Sequence, residues 1–477
     1  MNKAQSRMVV VSNRLPAVIQ QVENRWEIAA GSGGLVTALE PVVQSRRGVW
    51  VGWPGCGEEA PVDALLEQFG EQRGYRLLPV PLSDHQVQGY YHGFSNETLW
   101  PLFHDLLGHC RFESATWSVY RDVNDLFASV VARQLEPSDL VWVHDYQLML
   151  VGEFLRRQGC AQRLGFFLHI PFPSPDLLRR LPWKNDLLRG LLAFDVVGFQ
   201  TLRDRRNFVS GAAQLPEVRI IGRQRYHTLL QVGDRVVRAG HFPISIDVAD
   251  FERRAATREV DEAAWYLHEN LEGRQLILGI DRLDYTKGLR ERFLAFEKAL
   301  EICPDMRGHS SLLQIVVPSR TDVPEYQRHK EMLDREVGRI NSRFGEAGWV
   351  PIHYLYRSLD PVQLLAHYRA CEIALITPLR DGMNLVAKEY CACSLDNNGV
   401  LILSEFAGAA DQMGRDALLV NPYDIDATAE AICRAFHMPQ EERQQRMRRL
   451  RQDLRRHDVH RWVELFLRHL LAVNAGR

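Results

Sequence analysis

The chain has 477 residues, 46% of them hydrophobic and 25% charged. That size and balance fit two large globular domains and exclude a disordered, collagen-like or disulfide-scaffold protein. Lys and Arg number 58 against 60 Asp and Glu, a formal net charge of −2, so no global field exists to hold a nucleic-acid backbone.

In chain order, "MNKAQSRMVVVSNRLP" carries too short an apolar run for a secretory leader, whose core spans roughly 7–15 residues. No later stretch approaches the roughly 18 apolar residues of a membrane span, so no membrane association is expected. Strands are predicted at 8–12, 49–53, 140–144 and 164–169, and again at 276–280, 312–317, 373–377, 400–403 and 417–420. Helical patterns fall between them at 116–133, 148–158, 288–301 and 325–344; in the last, Val337, Ile340 and Phe344 recur at steps of three and four. Strands alternating with helices imply βαβ units and parallel sheets. The pattern starts twice, at Met8–Arg14 and at Leu276–Arg282, with "GHFPISIDVADFE" (240–252) suited to the crossover between two open α/β domains. Ligands of such sheets bind beyond the carboxyl ends of the strands. Residues 440–473 read as one long helical stretch dense in arginine; interleaved acids make it a solvated face rather than an anion site.

The eight cysteines (Cys56, Cys110, Cys160, Cys303, Cys371, Cys391, Cys393, Cys433) are scattered. Cys391 and Cys393 form the one close pair, and without a second pair at matching spacing no zinc site is expected. They read as small hydrophobes in a reducing cytoplasm. Six of the 58 basic residues are lysines (Lys3, Lys184, Lys287, Lys298, Lys330, Lys388). Base composition explains that bias, yet it makes a lysine inside a motif less easily a random surface charge.

The chemistry-bearing segments fall where strands end. "VVVSNRLP" and "GSGGLVTALEP" place Arg14 near a glycine-rich turn (Gly31, Gly33, Gly34) that opens a helix, where unpaired N–H groups favour anions. A tight connection would look the same. "LVWVHDYQL" and "GFFLHIPFPSP" end strands at His144–Asp145 and at His169; a carboxylate and an imidazole on neighbouring strand ends suit sugar hydroxyls or proton movement. In "ILGIDRLDYTKGL", Arg282 and Lys287 form a two-cation loop able to clamp a diphosphate. "TPLRDGMNLVAKEY" sets Asp381 in a loop before a helix starting near Asn384, with Glu389 on the face of Leu385 and Lys388 turned to solvent. Asp281 with Asp284 suits a strand end better than a metal pair, and Asp424 with Asp426 suits a helix cap. No metal and no cofactor are expected. Neither a Ser-His-Asp order nor a nucleophile elbow is present.

With these segments, the sequence resembles the trehalose-6-phosphate synthases, retaining GT-B glycosyltransferases, from about Met8 to Leu471. Further matching pieces are "WVGWPG", "YYHGFSNETLWPLFH", "GFQT", "VPSR" and "LSEFAGAA". The resemblance implies an α/β GT-B fold, two Rossmann-like parallel-sheet domains facing each other across a cleft. Residues 1–244 would be the acceptor domain, with a helix at 455–477 packing back on it, and 245–454 the nucleotide-sugar donor domain. It implies transfer of glucose from a nucleotide-glucose, with UDP-glucose the expected donor, to glucose 6-phosphate.

On the donor side, the resemblance assigns Arg282 and Lys287 to the diphosphate, and Asp381 with the amides of Met383, Asn384, Leu385 and Val386 to the glucose and phosphate. Glu389 would take the ribose, His169 the sugar's 6-hydroxyl, and Gly34 would close on the donor. On the acceptor side it assigns Arg14, Trp53, Tyr91, Trp100, Asp145 and Arg320. Asp145, His169, Arg282, Lys287 and Asp381 are the residues it makes catalytic. The implied mechanism is front-face substitution with retention, the departing phosphate helping to take the acceptor's proton, though the residues alone leave a covalent double displacement open. Two other readings stand beside it: a synthase using glycerol 3-phosphate, and a non-catalytic regulatory homologue. A homo-oligomer and a separate downstream trehalose-phosphate phosphatase are further expectations.

Overall fold

The computed structural model describes residues 6–23, 25–31, 34–56, 60–271, 273–319 and 324–473. They fall into two compact units, Met1–Ile244 with His460–Arg477, and Ser245–Val459.

Strands of the first unit are β1 (Met8–Arg14), β2 (Ala17–Val22), β3 (Arg25–Ala30), β4 (Val49–Trp53), β5 (Arg76–Pro79), β6 (Leu140–His144), β7 (Arg163–Phe167), β8 (Val196–Phe199), β9 (Val218–Arg223), β10 (His227–Val232) and β11 (Arg235–His241). Among the described residues the main sheet runs β5-β4-β1-β6-β7-β8-β11-β10-β9. It is parallel from β5 to β11, and β11, β10 and β9 add an antiparallel meander. β2 and β3 pair as a separate hairpin. The parallel strands read as unbroken apolar runs such as "MVVV" and "LVWV" because helices cover both faces.

The second unit holds β12 (Gln275–Arg282), β13 (Ser310–Val317), β14 (Ile352–Tyr356), β15 (Ile373–Ile376), β16 (Val400–Ser404) and β17 (Leu418–Val420) in the all-parallel order β14-β13-β12-β15-β16-β17. Its core packs Phe293, Phe296, Leu312, Ile340 and Ile432 into one buried cluster.

Each unit winds outward twice from its first strand. The direction reverses between β1 and β6 in one unit and between β12 and β15 in the other. A crevice opens at such a reversal, because the connections on its two sides leave towards opposite faces. All nine predicted strands are present. The sequence pattern missed β2, β3, β5, β8, β9, β10, β11 and β14.

The arginine-rich stretch is two helices, Gln440–Arg456 and Val459–Leu471, and the units divide at Val459/His460 rather than at 454/455. Its face is largely one of ion pairs: Arg446–Glu442 at 2.8 Å, Arg449–Asp416 at 3.2 Å and Arg455–Glu252 at 2.7 Å. Arg443 and Arg451 depart from the expectation of solvated charge. Both are buried, donating to the carbonyls of Met438 and Ser394, each at 2.8 Å.

The helix Val459–Leu471 closes one face of the first sheet. Phe466 stacks on Trp142 with ring centroids 4.2 Å apart and planes 5° apart, and Trp462 meets Phe167 edge-on at 5.0 Å. Gly165 on β7 and Gly198 on β8 make room: a Cβ at either would come within 2.8–2.9 Å of the Phe466 ring. Phe466→Ala is therefore expected to destabilise the protein by about 3–5 kcal/mol, the usual range for a buried aromatic, read as a lowered denaturant midpoint.

Among the described residues no helix is long and apolar enough to cross a membrane.

Candidate active site

In the first unit, a cavity of about 490 Å³ sits beyond the carboxyl ends of β1, β4 and β6, lined by Asn13, Arg14, Trp50, Gly55, His144 and Asp145 among others. β1 shifts register between Val11 and Arg14, which makes Arg14 the partner of Trp53 on β4. The bulge turns Arg14 over the indole, its guanidinium carbon 4.0 Å from the ring centroid. Trp53 meets Tyr91 edge-on at 5.9 Å. Solvent reaches Arg14 through the cavity, yet the enclosing walls desolvate it and lower its pKa. Gly55 holds a left-handed φ of 78°, and a Cβ there would overlap the Arg14 guanidinium, so the turn after β4 admits the arginine only as glycine. Arg14, Trp53 and Tyr91 thus form a cation on an aromatic corner.

Tyr91 projects from a π-helix, Val87–Leu99, which ends with Trp100 N–H donating to Ser95 O. The neighbouring Tyr90 donates to Asn13 Oδ1 at 2.9 Å, tying that helix to the end of β1. Trp100 is buried, 4.2 Å from His104 and 5.6 Å from Tyr146 by ring centroids, and does not line the cavity. Gly34 begins the helix Gly34–Ser45, whose Leu35 and Val36 do line it. Gly33 and Arg320 lie outside the described residues.

Asp145 follows β6 with φ 77°, a conformation L residues avoid, and accepts the His169 N–H at Oδ1, 3.2 Å away. The adjacency of β6 and β7 thus joins the carboxylate to the histidine segment, as the sequence suggested. Behind them, His144 Nδ1 and His169 Nε2 are 3.2 Å apart, and buried His144 Nε2 has no hydrogen-bond partner among the described residues. An orphaned N–H is rarer than an orphaned lone pair, which assigns the His144 proton to Nδ1, donating to His169 Nε2. His169 then keeps its own proton on Nδ1.

Burial lowers His144 well below the ordinary value and His169 to about 3, so both rings are neutral at physiological pH. Between pH 6.5 and about 3 the unfolded chain binds a proton that folded His169 refuses. Stability therefore falls as pH drops through that window and is flat above it as far as His169 is concerned. His169→Phe is expected to shallow the decline, measured as melting temperature against pH; His144, and His227 and His241, both pushed to about 4, contribute to the slope that remains.

In the second unit, the loops after β12 and β15 meet at the strand-order reversal. Lys287 Nζ lies 2.6 Å from Asp381 Oδ2, and Asn384 Nδ2 donates to the same oxygen at 3.2 Å. Arg282 ends β12, exposed and with no ion pair among the described residues. Gly288, at φ 63°, lets the Lys287 loop pass the Thr377 carbonyl where a Cβ would collide. Asn384, also left-handed at φ 75°, caps the helix Leu385–Cys393 by accepting from Ala387 N–H at 3.2 Å. The preceding amides at that N-terminus have no intrahelical acceptor, and Met383 is buried beside them, its carbonyl held by Ala409 N–H at 2.8 Å. Two cations, an acid and a helix N-terminus can hold a phosphorylated sugar and balance charge on a departing phosphate.

Glu389 Oε2 accepts from Tyr368 OH at 2.7 Å, fixing the carboxylate while burial raises its pKa. Lys388 corrects an expectation. It is fully buried, not turned to solvent, and donates to Gln412 Oε1 at 2.7 Å, with burial lowering its pKa to about 7. The adjacent Glu389 projects from the helix about 100° away, which separates the two roles. Asp424 caps the helix Ile425–Phe436 by accepting from Ala427 N–H at 2.9 Å.

Arg292 escaped the sequence reading. Buried to 1% exposure, it binds Asp281 at 2.5 Å and Thr377 Oγ1 at 3.1 Å and reaches the Lys287 carbonyl at 3.4 Å, so it pins the cation loop from beneath. The signal was an arginine on the buried stripe formed by Leu289, Phe293 and Phe296. Asp281 is thereby an ion-pair partner in the core.

The model of glycosyltransferase family 20 matches residues 6–472. The chain is 44% identical to the bifunctional trehalose-6-phosphate synthase/phosphatase of Thermoproteus tenax over 99% of its length, and 41% identical to alpha,alpha-trehalose-phosphate synthase [UDP-forming] A of Dictyostelium discoideum over 97%. It spans 64% and 62% of those two longer proteins. It covers 95% of the trehalose-6-phosphate synthase of Mycobacterium sp. (strain JLS), at 42% identity over 97% of this chain. Among solved structures, the UDP-forming alpha,alpha-trehalose-phosphate synthase of Burkholderia vietnamiensis superposes with a TM-score of 0.88 at 40% identity, covering 98% of both chains. The Escherichia coli protein bound with UDP-2-fluoro glucose gives 0.88 at 36%, covering 99% of this chain and 100% of that one. A Burkholderia xenovorans synthase in complex with glucose-6-phosphate gives 0.86 at 36%, covering 98% and 100%. The doubly wound α/β units, their charged strand ends and these full-length matches together show that the chain belongs to glycosyltransferase family 20.

Proposed function

We propose that the protein is a retaining glucosyltransferase that moves glucose from UDP-glucose to glucose 6-phosphate, giving α,α-trehalose 6-phosphate and UDP. The observation that carries the reading is the Lys287–Asp381 pair at the strand-order reversal of the second unit, Lys287 lying in the loop that follows Arg282, which has no ion pair among the described residues. It supplies the two charges that a nucleotide sugar needs, a cation for diphosphate and a carboxylate for sugar hydroxyls. The Escherichia coli relative bound with UDP-2-fluoro glucose supports that donor, and the Burkholderia xenovorans relative in complex with glucose-6-phosphate supports the acceptor.

On donor binding, Lys287 exchanges Asp381 for the diphosphate, and Asp381 turns to the glucose hydroxyls. Arg282 and the amides of Leu385 and Val386 meet the charge that grows as the glycosidic bond breaks. Glu389, oriented by Tyr368, takes the ribose. His169 Nδ1–H donates to the glucose 6-hydroxyl. In the first unit Arg14 binds the acceptor phosphate, Trp53 and Tyr91 face the apolar side of its ring, and Asp145 accepts from a hydroxyl. Retention then follows from attack on the face the UDP leaves, the departing phosphate oxygen taking the acceptor's proton. No metal enters this scheme, since Arg282 and Lys287 do its work at the phosphate. The product is expected to go to a separate phosphatase, an activity fused to the synthase in the Thermoproteus tenax relative's name.

The test is to incubate the pure protein with UDP-, ADP- or GDP-glucose against glucose 6-phosphate or glycerol 3-phosphate. Trehalose 6-phosphate from UDP-glucose is the expected product. Its absence with every donor would sink the proposal, and a glycerol product would replace the acceptor.

A further inference from the structure

Away from the strand ends that hold these groups, the second unit gathers a second set of chemically active side chains. The helix Leu289–Ile302 leaves the carboxyl end of β12 and returns to the start of β13, so Cys303 and Asp305 lie at the amino edge of the sheet. The helix Ile425–Phe436 runs back from β17 in the same way and delivers His437 to that edge, and the two helices pack together. Cys303 Sγ, an Asp305 carboxylate oxygen and a His437 ring nitrogen all lie within 4.8 Å of one another.

In the absence of an ion the three side chains bond to one another. His437 Nδ1–H donates to the Cys433 carbonyl at 3.0 Å and Nε2–H to Asp305 Oδ2 at 2.5 Å, so the ring is held at both nitrogens, and loss of the Nε2 proton would turn that nitrogen into a ligand beside the carboxylate. A backbone carbonyl holding Nδ1–H is the anchor that metal-bound histidines use to present Nε2. Cys303 Sγ donates to Asp305 Oδ1 at 3.1 Å. A second thiol, Cys433, stands one turn before His437 and donates to the Ala299 carbonyl at 3.8 Å.

We propose that Cys303, Asp305 and His437 hold a divalent cation of zinc's class. Thiolate with imidazole and carboxylate selects such a borderline-soft ion over calcium or magnesium. Tetrahedral bonds of about 2.0–2.3 Å set ligands roughly 3.2–3.8 Å apart; Cys303 Sγ already stands 3.1 Å from Asp305 Oδ1, and His437 Nε2, 2.5 Å from Oδ2, moves outward to admit the ion. Asp305 and His437 are exposed enough to adjust, at 60% and 52% side-chain exposure. The ion displaces the Cys303 thiol proton and the Nε2 proton that His437 shares with Asp305, so two protons are released per ion bound. It joins the ends of two helices and so serves stability rather than transfer. Spacing rules could not show it, because its ligands come from segments far apart in the chain.

Full-length protein stripped with chelator and titrated with Co²⁺ tests this. The expected result is a thiolate-to-cobalt charge-transfer band saturating at one equivalent, lost on adding Zn²⁺, and a melting temperature raised by either ion. His437→Ala and Asp305→Asn, at exposed positions that spare the core, should each weaken binding at least about tenfold with transferase turnover at low temperature unchanged. Absence of the band from wild-type protein would overturn the site, as would a band of full affinity in both variants.

Discussion

Arg282→Ala lowers turnover by about 10²–10³-fold, the usual effect of removing one group aimed at charge that develops in the transition state, and leaves the melting temperature where it was. Both halves follow from its position. Arg282 ends β12 exposed and with no ion pair among the described residues, so its loss strands no partner. Lys287→Ala is expected to reduce turnover similarly but to lower the melting temperature as well, because Asp381 and Asn384 lose the cation that orders them. Steady-state kinetics beside thermal melts separates the two variants. Unchanged turnover in Arg282→Ala would remove the arginine from the diphosphate clamp.

Arg14→Ala acts on the other substrate. Charge-assisted hydrogen bonds contribute about 1.5–3 kcal/mol each, so the KM for glucose 6-phosphate is expected to rise about 10–100-fold while the KM for UDP-glucose stays put. Lys at the same position restores the charge but not the flat guanidinium lying 4.0 Å from the Trp53 ring centroid, and recovery is expected to be partial. The acceptor dependence of initial rates at saturating donor reads this directly. An equal rise in both KM values would mean that Arg14 shapes the fold rather than the phosphate site.

The sequence revealed the parallel strands and the residues at their ends for a common reason. A strand buried on both faces is a continuous apolar run, and the polar residues that interrupt it stand where it stops; Arg14, Asp145 and Arg282 were visible that way. The antiparallel meander β9–β11 gave no such signal, since its half-exposed strands mix Arg, Gln and Val without a clear alternation. Lys388 was misjudged because a charge beside Glu389 looks solvated until Gln412 is seen to receive it. Arg292 was passed over altogether, since a single charge on the apolar stripe of Leu289, Phe293 and Phe296 belongs to no motif. Neither the π-helix bearing Tyr91 nor the register shift that seats Arg14 over Trp53 has a marker at the level of composition. Both arise from pairing between distant segments.

The glycine-cleared groove that accepts Phe466 also orders events during synthesis. All of the second unit but Val459 precedes the helix Val459–Leu471, so the second unit can close while the first is still short of its lid. Until Val459–Leu471 leaves the ribosome, the Trp142 and Phe167 side chains have no cover on that face. A nascent chain arrested before His460 therefore presents one finished unit and one sticky sheet, the state that chaperones bind and proteases cut.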